Sequence, residues 1–79
     1  MPEPVEAALL AFVRTSLLKG RRVVLTAETP LFEDRLLNSI NILGLIGYIE
    51  RARGRRLDAR DLVMDNFRDV GTIVRRFLS

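Results

Sequence analysis

Ser39 is the residue best placed for chemistry. It follows Asn38 and stands ahead of Ile42, Leu45, Ile46 and Ile49, an i, i+3, i+4, i+7 set that predicts an amphipathic helix. A helix start presents unpaired N–H groups and roughly half a positive charge. That environment favours a phosphate bonded to the serine oxygen or lying beside it. The chain has no His and no Cys. Ser39 therefore has no imidazole to activate it, and a Ser-His-Asp or Cys-His enzyme cannot be assembled. The same absences remove disulfides, thiolate catalysis, Cys-rich zinc sites and the commonest metal ligand. Ser39 is a poor nucleophile alone but a fair acceptor for a modifying enzyme. The plainer reading is that Asn38 or Ser39 simply caps the helix. Any further chemistry has to be brought by a cofactor or a partner.

The elements that must position Ser39 follow from apolar spacing. Val5, Ala8, Leu9, Phe12, Val13 and Leu17 recur at helical intervals after Pro4, with Glu3 and Glu6 near the helix start and Lys19-Gly20 as the stop. They predict helix one over about residues 4–18. Residues 20–38 show no helical period. Val23-Val24-Leu25 has strand propensity but no second strand to pair with, so the segment reads as a long loop. Leu25, Leu31, Phe32, Leu36 and Leu37 are too apolar for a solvated linker and should pin it to the helices. Helix two is predicted over about 39–52, ending at Gly54. Asp58 to Asp61 opens a short third helix with Leu62 and Val63 facing inward, interrupted by Asn66. Asp69 caps a last helix carrying Val70, Ile73, Val74 and Phe77. The expected architecture is all-α, four helices with one short and a long first loop, in a single domain over 1–79. Phe12, Leu45, Ile49, Val70 and Ile73 are the expected core.

The stretch Thr29-Pro30-Leu31-Phe32-Glu33-Asp34-Arg35-Leu36-Leu37-Asn38-Ser39-Ile40 resembles the modification site of acyl carrier and peptidyl (aminoacyl) carrier proteins. Their signature is Asp-Ser followed by an aliphatic residue at the start of the second helix. The resemblance continues through Leu45-Ile46, Tyr48-Ile49-Glu50, Leu57 and Asn66-Phe67-Arg68-Asp69-Val70, and covers about residues 3–78. It implies a carrier-protein bundle without catalysis of its own. A phosphopantetheinyl transferase would attach 4′-phosphopantetheine to Ser39 as a phosphodiester, making the chain a phosphoprotein. The arm's thiol would hold an acyl or aminoacyl cargo as a thioester, which brings sulfur to a chain without Cys. The partner surface on this reading is Asn38, Ile40, Leu43, Gly47 and Arg51, with no metal site.

Three departures from the family pattern shape the expectation. Asn38 replaces the usual Asp, keeping a capping oxygen and losing the charge. The glycine common earlier in the loop is replaced around Arg35-Leu36. Residues 39–53 hold only Glu50 against Arg51 and Arg53, where many acyl carriers are acidic. The last point implies a specialised pathway, with a dedicated acyl- or aminoacyl-loading enzyme and downstream transferases, rather than general fatty-acid synthesis. Charge reversal at Arg51 and Arg53 should then slow that enzyme's association and leave the fold intact.

Other features carry paired readings. Gly44 and Gly47 make a smooth strip, either for a partner or arm or for packing of a neighbouring element. Leu43 is a partner contact or a flank of the core. Tyr48 reads as a half-buried packing residue. Asp61, Asp65 and Asp69 read as caps or solvated carboxylates before a cation site. Residues 51–60 hold five Arg against one Asp within a net charge of +3. They support a rival reading, a small helical nucleic-acid-binding module using Arg51–Arg60, although no aromatic is interleaved with them. A helical interaction module with no prosthetic group is the third. No apolar run approaches the ~20 residues of a membrane span. Met1-Pro2-Glu3-Pro4 lacks the basic-then-apolar order of a signal peptide. A monomer in the cytoplasm is expected.

Overall fold

The computed structural model describes residues 4–19 and 22–78. The fold is all-α, with no strand among the described residues. Helix α1 runs Pro4–Phe12 and continues as a wider π-helical stretch, Val13–Leu17. Helix α2 runs Ser39–Arg53. Helix α3 runs Val70–Ile73 and likewise continues as a π-helical stretch, Val74–Leu78.

The widening of α1 has a local cause. Thr15 Oγ1 donates to Ala11 O at 2.8 Å, a back-bond that competes with the ladder. The Leu18 N–H then reaches Val13 O at 2.8 Å, five residues back. Lys19 takes φ +50 and turns the chain out of the helix. Glu3 and Gly20, read from sequence as helix start and stop, lie outside the described residues.

The predicted short third helix is instead two separate 3-10 turns, Ala59–Asp61 and Met64–Phe67. Three helices and two turns stand where four helices were expected. Local hydrogen bonding explains the difference. The Asp58 N–H donates to Asp61 Oδ2, and Asn66 Nδ2 donates to Asp61 O at 2.9 Å. Side chains thus take backbone partners that an α-helix would need. Leu62 and Val63, expected to face inward, are exposed. Between the two turns they are not on a helical face that could aim them at the core. Buried Asn66 and Phe67 take that role.

The core joins all three helices. Leu9, Val13, Leu45, Ile49, Val70 and Ile73 are fully buried, each contributing about 1.5–3 kcal/mol by burial. Phe12 is half-buried rather than central, with its ring 4.6 Å from that of half-buried Tyr48. The π-helical end of α1 packs on α2, and α1 packs on α3. At the first of these contacts a Cβ on Gly44 would come 2.9 Å from Leu17 Cδ2. Gly44 is therefore packed by a helix. A Cβ on Gly47 would meet only Arg51 Nη1, at 3.3 Å.

The long loop is fastened as its apolar residues predicted. Leu25, Leu31 and Leu37 are buried, with Phe32 and Leu36 packed against them. Its backbone is tied to the far end of the chain. The Leu31 N–H donates to Arg68 O at 2.9 Å, and the Gly71 N–H to Ala27 O at 2.8 Å. A Cβ on Gly71 would sit 3.3 Å from that same Ala27 oxygen, so glycine permits the approach.

Candidate functional site

The loop delivers the chain to Asn38 through a tight turn. The Leu36 and Leu37 N–H groups both donate to Leu31 O, at 3.1 and 2.9 Å. Arg35 within it takes φ +58, the left-handed region that glycine occupies freely. The departure seen in the sequence is thus a side chain placed on backbone that suits glycine. Arg35→Gly should stabilise the protein by about 1 kcal/mol, read as a higher urea midpoint with unchanged slope. A lower midpoint would show that the Arg35 side chain contributes more than its backbone costs.

Asn38 caps α2. Its Oδ1 accepts from the Ile40 N–H at 2.9 Å and the Asn41 N–H at 3.2 Å. Asn41 Oδ1 accepts in turn from the Asn38 N–H at 2.9 Å, closing a reciprocal capping box. The two capping readings are thereby separated. Ser39 is the first helical residue, exposed, and its hydroxyl has no hydrogen-bond partner among the described residues. Asn38→Asp keeps the capping oxygen and adds a charge at the positive end of α2. It should stabilise the protein by about 0.3–1 kcal/mol at low salt, and the gain should shrink in high salt. A loss of stability in urea titrations at low salt would show that the amide is needed in the box.

The expected partner surface divides. Ile40 and Leu43 are 76% and 70% exposed, and they flank Ser39 within one turn of helix. Asn38 is exposed beside them. Gly47 and Arg51 lie two and three turns further along α2, with the Arg51 guanidinium beside Gly47. The structure does not bring them to the Ser39 end.

Spacing along α2 places Ile42 and Ile46 on the side of the helix below Ser39. Together with Leu62, Val63, Met64 and Phe67 they line a cavity of about 250 Å³. Its upper edge, Ile42, is three residues along the helix from Ser39, about 4.5 Å of rise. None of these lining residues was singled out as functional from sequence. Leu62-Val63-Met64, three apolar residues in a row in a polar segment, was the available signal. A smaller hollow of about 130 Å³, lined by Phe32, Glu33, Met64, Asp65 and Arg68, lies on the other side of Met64.

Charge is arranged along α2. Glu33 and Asp34 are exposed in the loop before Ser39. Glu50, the one carboxylate of α2, has its Oε2 taken by the Leu57 N–H at 2.9 Å. Arg53, read from sequence as a free surface charge, is half-buried with its guanidinium over the Phe77 ring, 5.7 Å from the centroid. Charge reversal there would disturb the fold, whereas Arg51 is exposed. Asp61 and Asp69 serve as cap acceptors, Asp69 Oδ1 taking the Thr72 N–H at 2.7 Å. No group of three or more potential metal-ligating side chains occurs among the described residues. Nor is any helix among them long and apolar enough to cross a membrane.

Neither a protein-family model nor a curated protein matches the chain. A solved structure does. The chain is similar to one described as the crystal structure of an FAD-dependent dehydrogenase, with a TM-score of 0.73 and 26% identity. The similarity covers 82% of this chain and 92% of that chain. The shared part is thus nearly the whole of the matched chain.

Proposed function

We propose that the protein is a carrier that holds an acyl or aminoacyl cargo on a 4′-phosphopantetheine arm attached to Ser39. The observation that carries the reading is the division of labour at the start of α2. Asn38 does the capping, so Ser39 is exposed and its hydroxyl is uncommitted. The surroundings fit the group. The helix start favours the phosphodiester's negative charge. Ile40 and Leu43 leave an apolar approach, and the Ile42–Ile46 wall gives the arm or its cargo somewhere dry to rest. When bound, the arm supplies a terminal thiol that carries the cargo as a thioester.

The chain's own residues orient and present. The capping box fixes the first turn of α2, which sets the direction of the Ser39 oxygen. The serine hydroxyl would give its proton to a base of the modifying transferase as its oxygen bonds the phosphorus of the arm, the pyrophosphate bond of coenzyme A breaking to release the nucleotide half. On this reading the protein is not an enzyme. It works as a cytoplasmic monomer with a phosphopantetheinyl transferase, a loading enzyme and downstream transferases. Since Glu50 is turned to the backbone, α2 offers partners apolar and basic groups and no free carboxylate. That supports a dedicated acyl- or aminoacyl-loading enzyme over a general fatty-acid system. The structural neighbour's name adds a flavin-dependent dehydrogenase to the enzymes the loaded protein should be offered.

The test is intact-protein mass spectrometry after incubation with coenzyme A and a broad-specificity transferase. The chain should gain one phosphopantetheine mass. No gain with several transferases would overturn the proposal.

A further inference from the structure

The end of α2 remote from Ser39 carries the chain's densest charge. Arg51 and Arg53 lie in the last turn, where the helix dipole accounts for cations. Arg55, Arg56 and Arg60 lie beyond Gly54, where it does not. Among the described residues, the one ion pair these five make is Arg60 with Asp58, at 3.5 Å between exposed side chains. The nearby carboxylates Glu50 and Asp61 accept from backbone N–H groups instead.

Arg53 is the anomaly. It is half-buried against Phe77, and its Nη1 is buried with no hydrogen-bond partner among the described residues. A buried charged donor is costly to leave unpaired, so the position calls for an acceptor that the described residues do not supply. Two concavities meet at Arg53 and Arg55. One, of about 460 Å³, is walled by Val5, Ala52, Phe77 and Leu78. The other, of about 390 Å³, is walled by Arg56, Asp58, Arg60 and Asp61. The first joins apolar side chains to the two arginines, and the second is almost wholly polar, with arginines outnumbering its two carboxylates.

We infer that this junction docks an acidic segment of a partner protein. A carboxylate of the segment accepts from Arg53 Nη1 and the Arg55 guanidinium, in a charge-assisted contact that suits the planar fork of arginine. A neighbouring aliphatic side chain packs against Ala52 and Leu78. A bare phosphate would leave that apolar wall uncovered. A nucleic-acid base would find no free ring, because Phe77 is already engaged by Arg53 and by Phe67, 5.5 Å away. The inference does not rest on modification of Ser39. The two ends of α2 are about 21 Å apart by helical rise, so a partner held here leaves the Ser39 end open.

The experiment is an NMR titration of the whole chain with a peptide of Glu-Glu-Leu repeats at fixed ionic strength. Inorganic phosphate, a Lys-Lys-Leu peptide and a DNA duplex are run in parallel. The acidic peptide should shift the Nε–H signals of Arg53 and Arg55 and the methyl signals of Ala52 and Leu78, leaving the Ser39 amide unmoved. Arg53→Gln removes the orphaned donor directly. Arg55→Glu combined with Arg56→Glu changes only exposed side chains, and should weaken binding by roughly tenfold or more while the unfolding midpoint holds. The assignment is overturned if the Arg53 and methyl signals stay still, or if the exposed double variant binds as well as wild type. Phosphate competing as well as the peptide, or a duplex binding more tightly at the same salt, overturns it too.

Discussion

On the carrier reading, Ser39→Ala will keep the fold and gain no phosphopantetheine mass. The side chain has no hydrogen-bond partner among the described residues and the cap belongs to Asn38, so removing the hydroxyl should change stability by no more than about 0.5 kcal/mol. A missing mass gain then reports the lost acceptor and not an unfolded chain. The other described hydroxyls sharpen the comparison. Thr15 is bonded to Ala11 O, Thr26 and Thr29 face each other at 3.1 Å, and Thr72 is buried. Ser16 is exposed, so Ser16→Ala is the proper control and should be modified like wild type. If Ser39→Ala still gains the mass while Ser16→Ala does not, the attachment point lies on α1 and the account of α2 fails.

Ile49→Ala will come close to unfolding the protein. Ile49 is fully buried in the middle of α2, where truncation of this kind costs about 2–5 kcal/mol. Total stability for small domains is about 5–15 kcal/mol, and a chain of 79 residues sits at the thin-cored end. Each kcal/mol moves the melting temperature by about 4–8 °C at this size, so a fall of at least 8–16 °C is expected in thermal unfolding followed by circular dichroism. Leu43→Ala on the same helix, where the side chain is mostly in solvent, should shift it by only a few degrees. Equal losses at the two positions would mean that α2 is rotated from the register described.

The parts of this fold legible in the sequence are those where one residue type has one good local use. Pro4 opening α1, Asp69 as a cap, and Gly54 with φ +76 closing α2 were all visible, while the cap of α2 was narrowed to Asn38 or Ser39. Periodicity placed Leu45, Ile49, Val70 and Ile73 inside. It failed over 58–67, because 3-10 turns have a different period and their side chains bond back to the backbone. There Leu62 and Val63 turned out exposed while Asn66 went in. Arg53 misled for a different reason. A long cationic side chain can lay itself on a ring that arrives from a distant helix, and nothing local to Arg53 announces Phe77. The start of α2 at Ser39 was legible from its neighbours, whereas the cavity below it was not. That cavity joins Ile42 and Ile46 to residues some twenty positions later, a pairing no local pattern contains.

The two backbone bonds that fasten the long loop, Leu31 to Arg68 and Gly71 to Ala27, also set an order of events. A growing chain that has not reached Arg68 already contains α1, α2 and Ser39, but it lacks both groups that hold the loop leading into α2. Such sequence-distant contacts form only after their later partner exists. The shape around Ser39 is therefore a late product of synthesis, displayed by chains that have passed Gly71 and withheld by shorter ones. An enzyme that reads that shape, rather than the serine alone, would ignore interrupted chains without any separate inspection step.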